Sequence, residues 1–105
     1  MSIRDIQVDL EGKVAVITGG ARGLGLTISR TLGRAGAVVT IVDKDENALS
    51  QAKESLKDSG LERVETIAAD LTDVSQISRV FRTIETTFGK LDILVNNAGV
   101  NVPKP

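Results

Sequence analysis

The sequence contains neither cysteine nor histidine. The first absence excludes disulfides, thiol catalysis and zinc-thiolate sites; the second removes the commonest metal ligand and the commonest general base. Charge of one sign is lacking too: 13 basic and 14 acidic residues are scattered along 105 positions, for a net charge of −1. Nothing resembles the basic stripe of a nucleic-acid or membrane-surface binder, and a small neutral or anionic ligand is the better match. No apolar run approaches the roughly 18 residues of a membrane span. The opening MSIRDIQVDLEG has neither the apolar segment of a secretory signal nor an Arg-rich amphipathic pattern. A cytoplasmic protein is the default expectation. With 41% hydrophobic and 26% charged residues, a folded core is expected. A chain of this length allows one domain at most, small for one that must cover both faces of a parallel sheet.

What is present is alternation. Short β-branched runs, Val14–Thr18, Ala37–Val42, Val64–Ala68 and Leu91–Val95, are separated by longer segments of helical period. The runs are mostly continuous rather than strictly alternating, as strands buried on both faces are. Leu24, Ile28, Leu32 and Ala35 share one helical stripe; so do Leu49, Ala52 and Leu56, then Ile77, Val80 or Phe81, Ile84 and Phe88. Gly36 and Gly60 end the first two helices, Asp45 can cap the second, and Asp73 with Gln76 has the spacing of a capping box for the third. The order β-α-β-α-β-α-β predicts an α/β fold, a Rossmann-like doubly wound parallel sheet. Right-handed crossovers place the first two helices on one face if the first three strands are ordered 3-2-1. A fourth strand returning beside the first gives the order 3-2-1-4 and a topological switch point, where ligands bind at the carboxyl ends of the strands.

Gly19, Gly23 and Gly25 directly follow the first strand and open a helix. Glycine permits the tight turn and close backbone approach to a pyrophosphate, whose charge meets the free N–H groups of the helix N-terminus. Glycines also punctuate turns for purely structural reasons. Asp43 lies 18 residues after Gly25, near the spacing at which a dinucleotide site places a carboxylate on the adenosine ribose hydroxyls. It also fits a turn residue or helix cap. Leu26 and Thr27 stand where a nucleoside-triphosphate loop needs Lys and Ser/Thr, so ATP and GTP are poor candidates.

Together, TGGARGLG at Thr18–Gly25, Asp43, Asp70-Leu71 and NNAG at Asn96–Gly99 resemble the short-chain dehydrogenase/reductase family over nearly the whole chain. The resemblance implies that Asp70 and Leu71 hold the adenine ring, and that Asn97, Ala98 and Gly99 support the sheet and line the cofactor beside the nicotinamide-side ribose. Turn chemistry at Asp70, and Asn side chains bonded to neighbouring backbone at NNAG, are the competing structural readings. The cofactor-binding set is then Gly19, Arg22, Gly23, Leu24, Gly25, Asp43, Asp70, Leu71, Asn97, Ala98 and Gly99. Choice of cofactor turns on Asp43, which would repel a 2′-phosphate, against Arg22, which would pair with one, swing into solvent as an exposed charge, or pair with Asp43. The expectation is NAD rather than NADP.

The resemblance also implies a catalytic Tyr-x-x-x-Lys pair with a preceding Ser, and the sequence has no tyrosine. No catalytic residue is therefore assigned, and residues 1–105 are read as the N-terminal cofactor-binding part of one dinucleotide-binding domain whose catalytic part is absent. The fourth strand as an apolar edge points the same way. The leading expectation is the NAD(P)-binding portion of a short-chain oxidoreductase that transfers hydride between a nicotinamide and an alcohol or carbonyl. A small-molecule substrate belongs only to a full-length form, and full-length members of the family are usually homo-oligomeric. The alternative is a non-catalytic nucleotide-binding module; a flavodoxin-like domain would leave Asp43 and NNAG unexplained.

Overall fold

The structure is a computed structural model and describes residues 8–97. The apolar runs become strands and the amphipathic stretches helices: β1 (Val14–Thr18), α1 (Gly23–Arg34), β2 (Val38–Asp43), α2 (Glu46–Asp58), β3 (Val64–Ala68), α3 (Val74–Phe88) and β4 (Ile93–Asn96). All strands are parallel in the order β3-β2-β1-β4. This is the incomplete Rossmann-like sheet expected from the alternation. In register, Ile17 stands beside Ile41 of β2 and Val95 of β4.

Strand β1 is buried at every position because both of its faces are covered. Ala15 and Ile17 join Val39 and Ile41 against Leu49, Ala52 and Leu56 of α2, with Ile28 and Leu32 of α1 packed at the margin. Val14, Val16 and Val42 face Val80 and Ile84 of α3 on the other side. Helices α1 and α2 thus share one face and α3 takes the opposite one, as right-handed crossovers require.

Three local expectations are corrected, at Leu24, Ala35 and Gln76, and one open choice is resolved. In α1, Leu24 is 67% exposed and the buried residues are Gly25 and Ser29, while Ala35 is the C-cap residue rather than part of the stripe. Gly25, Ser29 and Gly33, spaced four apart, share one face of the helix, and Ile28 and Leu32 pack against the core beside them. A Cβ at Gly33 would run into the Leu61 side chain, so the contact is one of close backbone approach. In α3 the open choice falls to Val80, buried, over Phe81, 38% exposed. Asp73 caps α3 by accepting from the Ser75 N–H at 2.9 Å, but Gln76 does not complete a capping box. Its Oε1 accepts from the Asp70 N–H at 2.7 Å, because the Asp73 N–H is already taken by the Asp70 carbonyl.

Strand boundaries shift by one or two residues. β2 runs one residue further than Ala37–Val42, ending on Asp43. β4 begins at Ile93 because Asp92 clasps β1: its N–H donates to the Val14 carbonyl at 2.9 Å, and its Oδ2 accepts the Val14 N–H at 2.7 Å. Among the described residues β4 pairs only with β1, and Leu94 on it is 51% exposed.

Thr40 sits mid-β2 between Val16 and Glu65. It is fully buried, and among the described residues its hydroxyl has no hydrogen-bond partner. A desolvated, unpaired hydroxyl costs stability that an apolar group of the same shape does not. Thr40→Val is therefore expected to raise unfolding stability by about 1 kcal/mol. Urea denaturation checks it; a loss of stability would mean the hydroxyl is bonded in solution.

Candidate functional site

The glycine loop joins the carboxyl end of β1 to α1 and is held from two sides. The Gly19 N–H donates to the Val42 carbonyl of β2 at 2.7 Å, and the Asn97 Nδ2 donates to the Gly19 carbonyl at 3.2 Å. Thr18, the last residue of β1, accepts the Asn97 N–H at its Oγ1 at 3.0 Å. The end of β4 is thereby tied to the loop.

Gly19 and Gly23 have φ of +64° and +57°, the left-handed region that favours glycine. Gly25 is required for a different reason: a Cβ there would strike the Gly19 carbonyl and lie 2.6 Å from Asn97 Nδ2. Its small size lets the first turn of α1 close over the loop. That turn has Arg22 at the N-cap with extended backbone, no side-chain cap and no acidic residue. Helices α2 and α3 are instead capped by Asp45 and Asp73. The first N–H groups of α1 are thus left to solvent or to an anion.

Asp43 is half-buried at the end of β2. Its Oδ1 accepts the Asp45 N–H at 3.2 Å, which orients the carboxylate. Asp70 lies after β3, with its Oδ1 accepting both the N–H and the hydroxyl of Thr72, at 3.0 and 2.7 Å. Turn chemistry at Asp70 is therefore real, whatever else the residue binds. A cleft of about 610 Å³ at the carboxyl ends of the strands is lined by Gly19, Asp43, Asp70 and Leu71, with Phe81 and Leu94 on its apolar wall.

Four of the sequence-predicted residues therefore share one cleft. Arg22, Gly23, Leu24 and Gly25 form the adjoining turn into α1, and Asn97 braces the loop from β4. Ala98 and Gly99 lie outside the described residues. Arg22 does not pair with Asp43: its Nη2 stands 2.8 Å from Asp45 Oδ2, with both side chains largely exposed. Asp45 was legible only as a helix cap, and it does cap α2, accepting from the Ala48 N–H at 3.1 Å. Its contacts with Arg22 and Asp43 had no signal in the sequence. Thr18 was legible as a motif residue but not as the bridge to Asn97.

Four aspartates are held below the ordinary value of 3.8 by the groups that bond them. For Asp45 the first of these is the Ala48 N–H, ahead of Arg22. For Asp70 it is the Thr72 hydroxyl, for Asp73 the Ser75 hydroxyl, and for Asp92 the Val14 N–H, followed by Lys90. A carboxylate whose folded value is depressed contributes stability that is complete above its unfolded value and is lost as pH falls through the folded one. Stability is thus expected to decline progressively below pH 3.8. Urea midpoints measured from neutral pH downward check this, and midpoints that stay level below that value contradict it.

A four-stranded parallel sheet ordered 3-2-1-4, with a glycine loop after the first strand, defines a Rossmann-like α/β chain. A family model described as short chain dehydrogenase matches residues 13–105. The chain belongs to the short-chain dehydrogenase/reductase family. It is 43% identical over 97 residues to human 15-hydroxyprostaglandin dehydrogenase [NAD(+)], covering 90% of this chain and 36% of that protein. It is 42% identical over 94 residues to 2,3-dihydro-2,3-dihydroxybenzoate dehydrogenase of Bacillus subtilis, covering 90% and 35%. Among solved structures, L-sorbose reductase from Gluconobacter frateurii, complexed with NADPH and L-sorbose, superposes with a TM-score of 0.86 at 35% identity, covering 95% of this chain and 38% of that one. The chain spans well under half the length of the curated relatives it matches. Members of the family bind nicotinamide cofactors, and these relatives include both an NAD enzyme and an NADPH complex. Among the described residues, no helix is long and apolar enough to cross a membrane.

Proposed function

We propose that the chain is the dinucleotide-binding part of a short-chain oxidoreductase and that it prefers NAD to NADP. The observation that carries this reading is the gathering of Gly19, Asp43, Asp70 and Leu71 around one cleft, beside an α1 N-terminus with no side-chain cap. The uncapped N–H groups and the space left by Gly25 fit a pyrophosphate. Asp43 fits the adenosine ribose hydroxyls, with Asp70 and Leu71 on the adenine side and Asn97, Ala98 and Gly99 toward the nicotinamide-side ribose. When bound, the nicotinamide supplies the hydride chemistry. These residues bind and orient it. The tyrosine that the family resemblance implies for proton transfer to an alcohol or carbonyl substrate is not among the 105 residues. A cytoplasmic setting accords with a soluble nicotinamide pool.

Titration calorimetry of the 105-residue chain with NAD and with NADP tests the reading. Saturable binding of NAD, displaced by AMP and tighter than that of NADP, is expected. Failure of both dinucleotides to bind would overturn it, and tighter NADP binding would overturn the preference alone.

A further inference from the structure

Asp45 makes three separate contacts. Its N–H donates to Asp43 Oδ1 at 3.2 Å, its Oδ1 accepts the Ala48 N–H at 3.1 Å, and its Oδ2 stands 2.8 Å from Arg22 Nη2. One residue thus orients the carboxylate expected on the ribose, starts α2, and ties down the guanidinium of the glycine loop. We propose that Asp45 is a positioning residue for cofactor choice, holding Arg22 on itself and so withholding it from a 2′-phosphate.

This inference rests on the dinucleotide reading of the site. Selection between the two dinucleotides is decided where the 2′-hydroxyl carries either a proton or a phosphate. A carboxylate there favours the hydroxyl and a guanidinium favours the phosphate. The chain carries both groups, Asp43 and Arg22, on loops that meet at Asp45. Lys44, which also lines the cleft, adds a second cation to the rim. Asp45 engages Arg22 through one charge-assisted bond at Nη2, so a 2′-phosphate has to compete with the Asp45 carboxylate for the guanidinium charge. The pair therefore reinforces the preference that Asp43 sets. Because it is solvent-exposed, its effect is modest and sensitive to salt.

Asp45→Asn separates the roles. Asparagine caps a helix about as well as aspartate, and the backbone N–H that orients Asp43 is retained; only the charge opposite Arg22 is removed. The ratio of NADP to NAD affinity, measured by calorimetry, is expected to rise roughly fivefold, the upper range for releasing an exposed ion pair. The double variant Arg22→Gln/Asp45→Asn is expected to lose that gain, since Lys44 remains in both. Raising salt to screen the charges should shrink the gain as well. Asp45→Ser, which also retains a helix-capping oxygen, repeats the measurement should the asparagine variant fold poorly. An unchanged ratio in variants that still bind NAD overturns the proposal, as does a gain that persists without Arg22. If the parent chain binds neither dinucleotide, the underlying reading of the site has failed, and the proposal is overturned with it.

Discussion

Replacing Gly25 with alanine is expected to weaken NAD binding by roughly a hundredfold, the equivalent of about 2.7 kcal/mol. The added Cβ meets the Gly19 carbonyl and Asn97 Nδ2. The first of these is backbone, pinned through the Gly19 N–H to Val42, so it cannot step aside as a flexible side chain would. The second is the amide that ties β4 to the loop. Relieving the clash means moving the first turn of α1 away from the loop, which disperses the N–H groups offered to the pyrophosphate. Overpacking of this kind also costs about 1–3 kcal/mol of stability, so a denaturation curve must accompany the titration. Gly23→Ala is the informative companion. Nothing lies within 4 Å of a Cβ at Gly23, yet its φ is +57°, so alanine there costs only the left-handed backbone, about 1–2 kcal/mol. A Gly25→Ala chain that binds NAD within threefold of the parent would show that the loop does not hold the pyrophosphate.

The contrast between these glycines shows where the sequence was readable. Strands β1 and β3 stand at the bounds their runs predict: β1 is continuous and buried throughout, whereas β3, at the edge of the described sheet, buries only Val64 and is marked by its β-branched residues. Asp45 and Asp73 cap their helices because capping is local. Helix α1 departs from its apolar stripe at Leu24 because hydrophobic periodicity counts large apolar residues, whereas the buried positions of this helix are Gly25 and Ser29. Gln76 and Arg22 take partners that the sequence does not specify, for another reason. Each has a reach of several residues and more than one polar group nearby, so its partner is decided by how the loops come together in three dimensions. The Asp43 position, by contrast, was legible from its spacing after the glycines, since a βαβ unit fixes how far the end of β2 lies from the loop after β1.

Asp43→Ala is expected to shift the NADP to NAD affinity ratio by roughly thirtyfold, about 2 kcal/mol, by two contributions that act in the same direction. A carboxylate and a phosphate about 4 Å apart repel by about 1 kcal/mol at the dielectric of water and about 4 kcal/mol at the effective value near a protein surface. A half-buried Asp43 belongs between those limits, and removing it favours NADP. The alanine also deletes the acceptor for the ribose hydroxyls, which weakens NAD. Asp43→Asn divides the two contributions. Its side-chain oxygen is able to accept the Asp45 N–H that Asp43 now accepts at 3.2 Å and to serve a ribose hydroxyl, but it carries no charge. If repulsion dominates, the asparagine variant shifts the ratio nearly as far as alanine. If the lost acceptor dominates, asparagine keeps most of the NAD affinity and shifts the ratio little. Calorimetry with both dinucleotides separates these outcomes, and an unchanged ratio in Asp43→Ala would remove Asp43 from the ribose site.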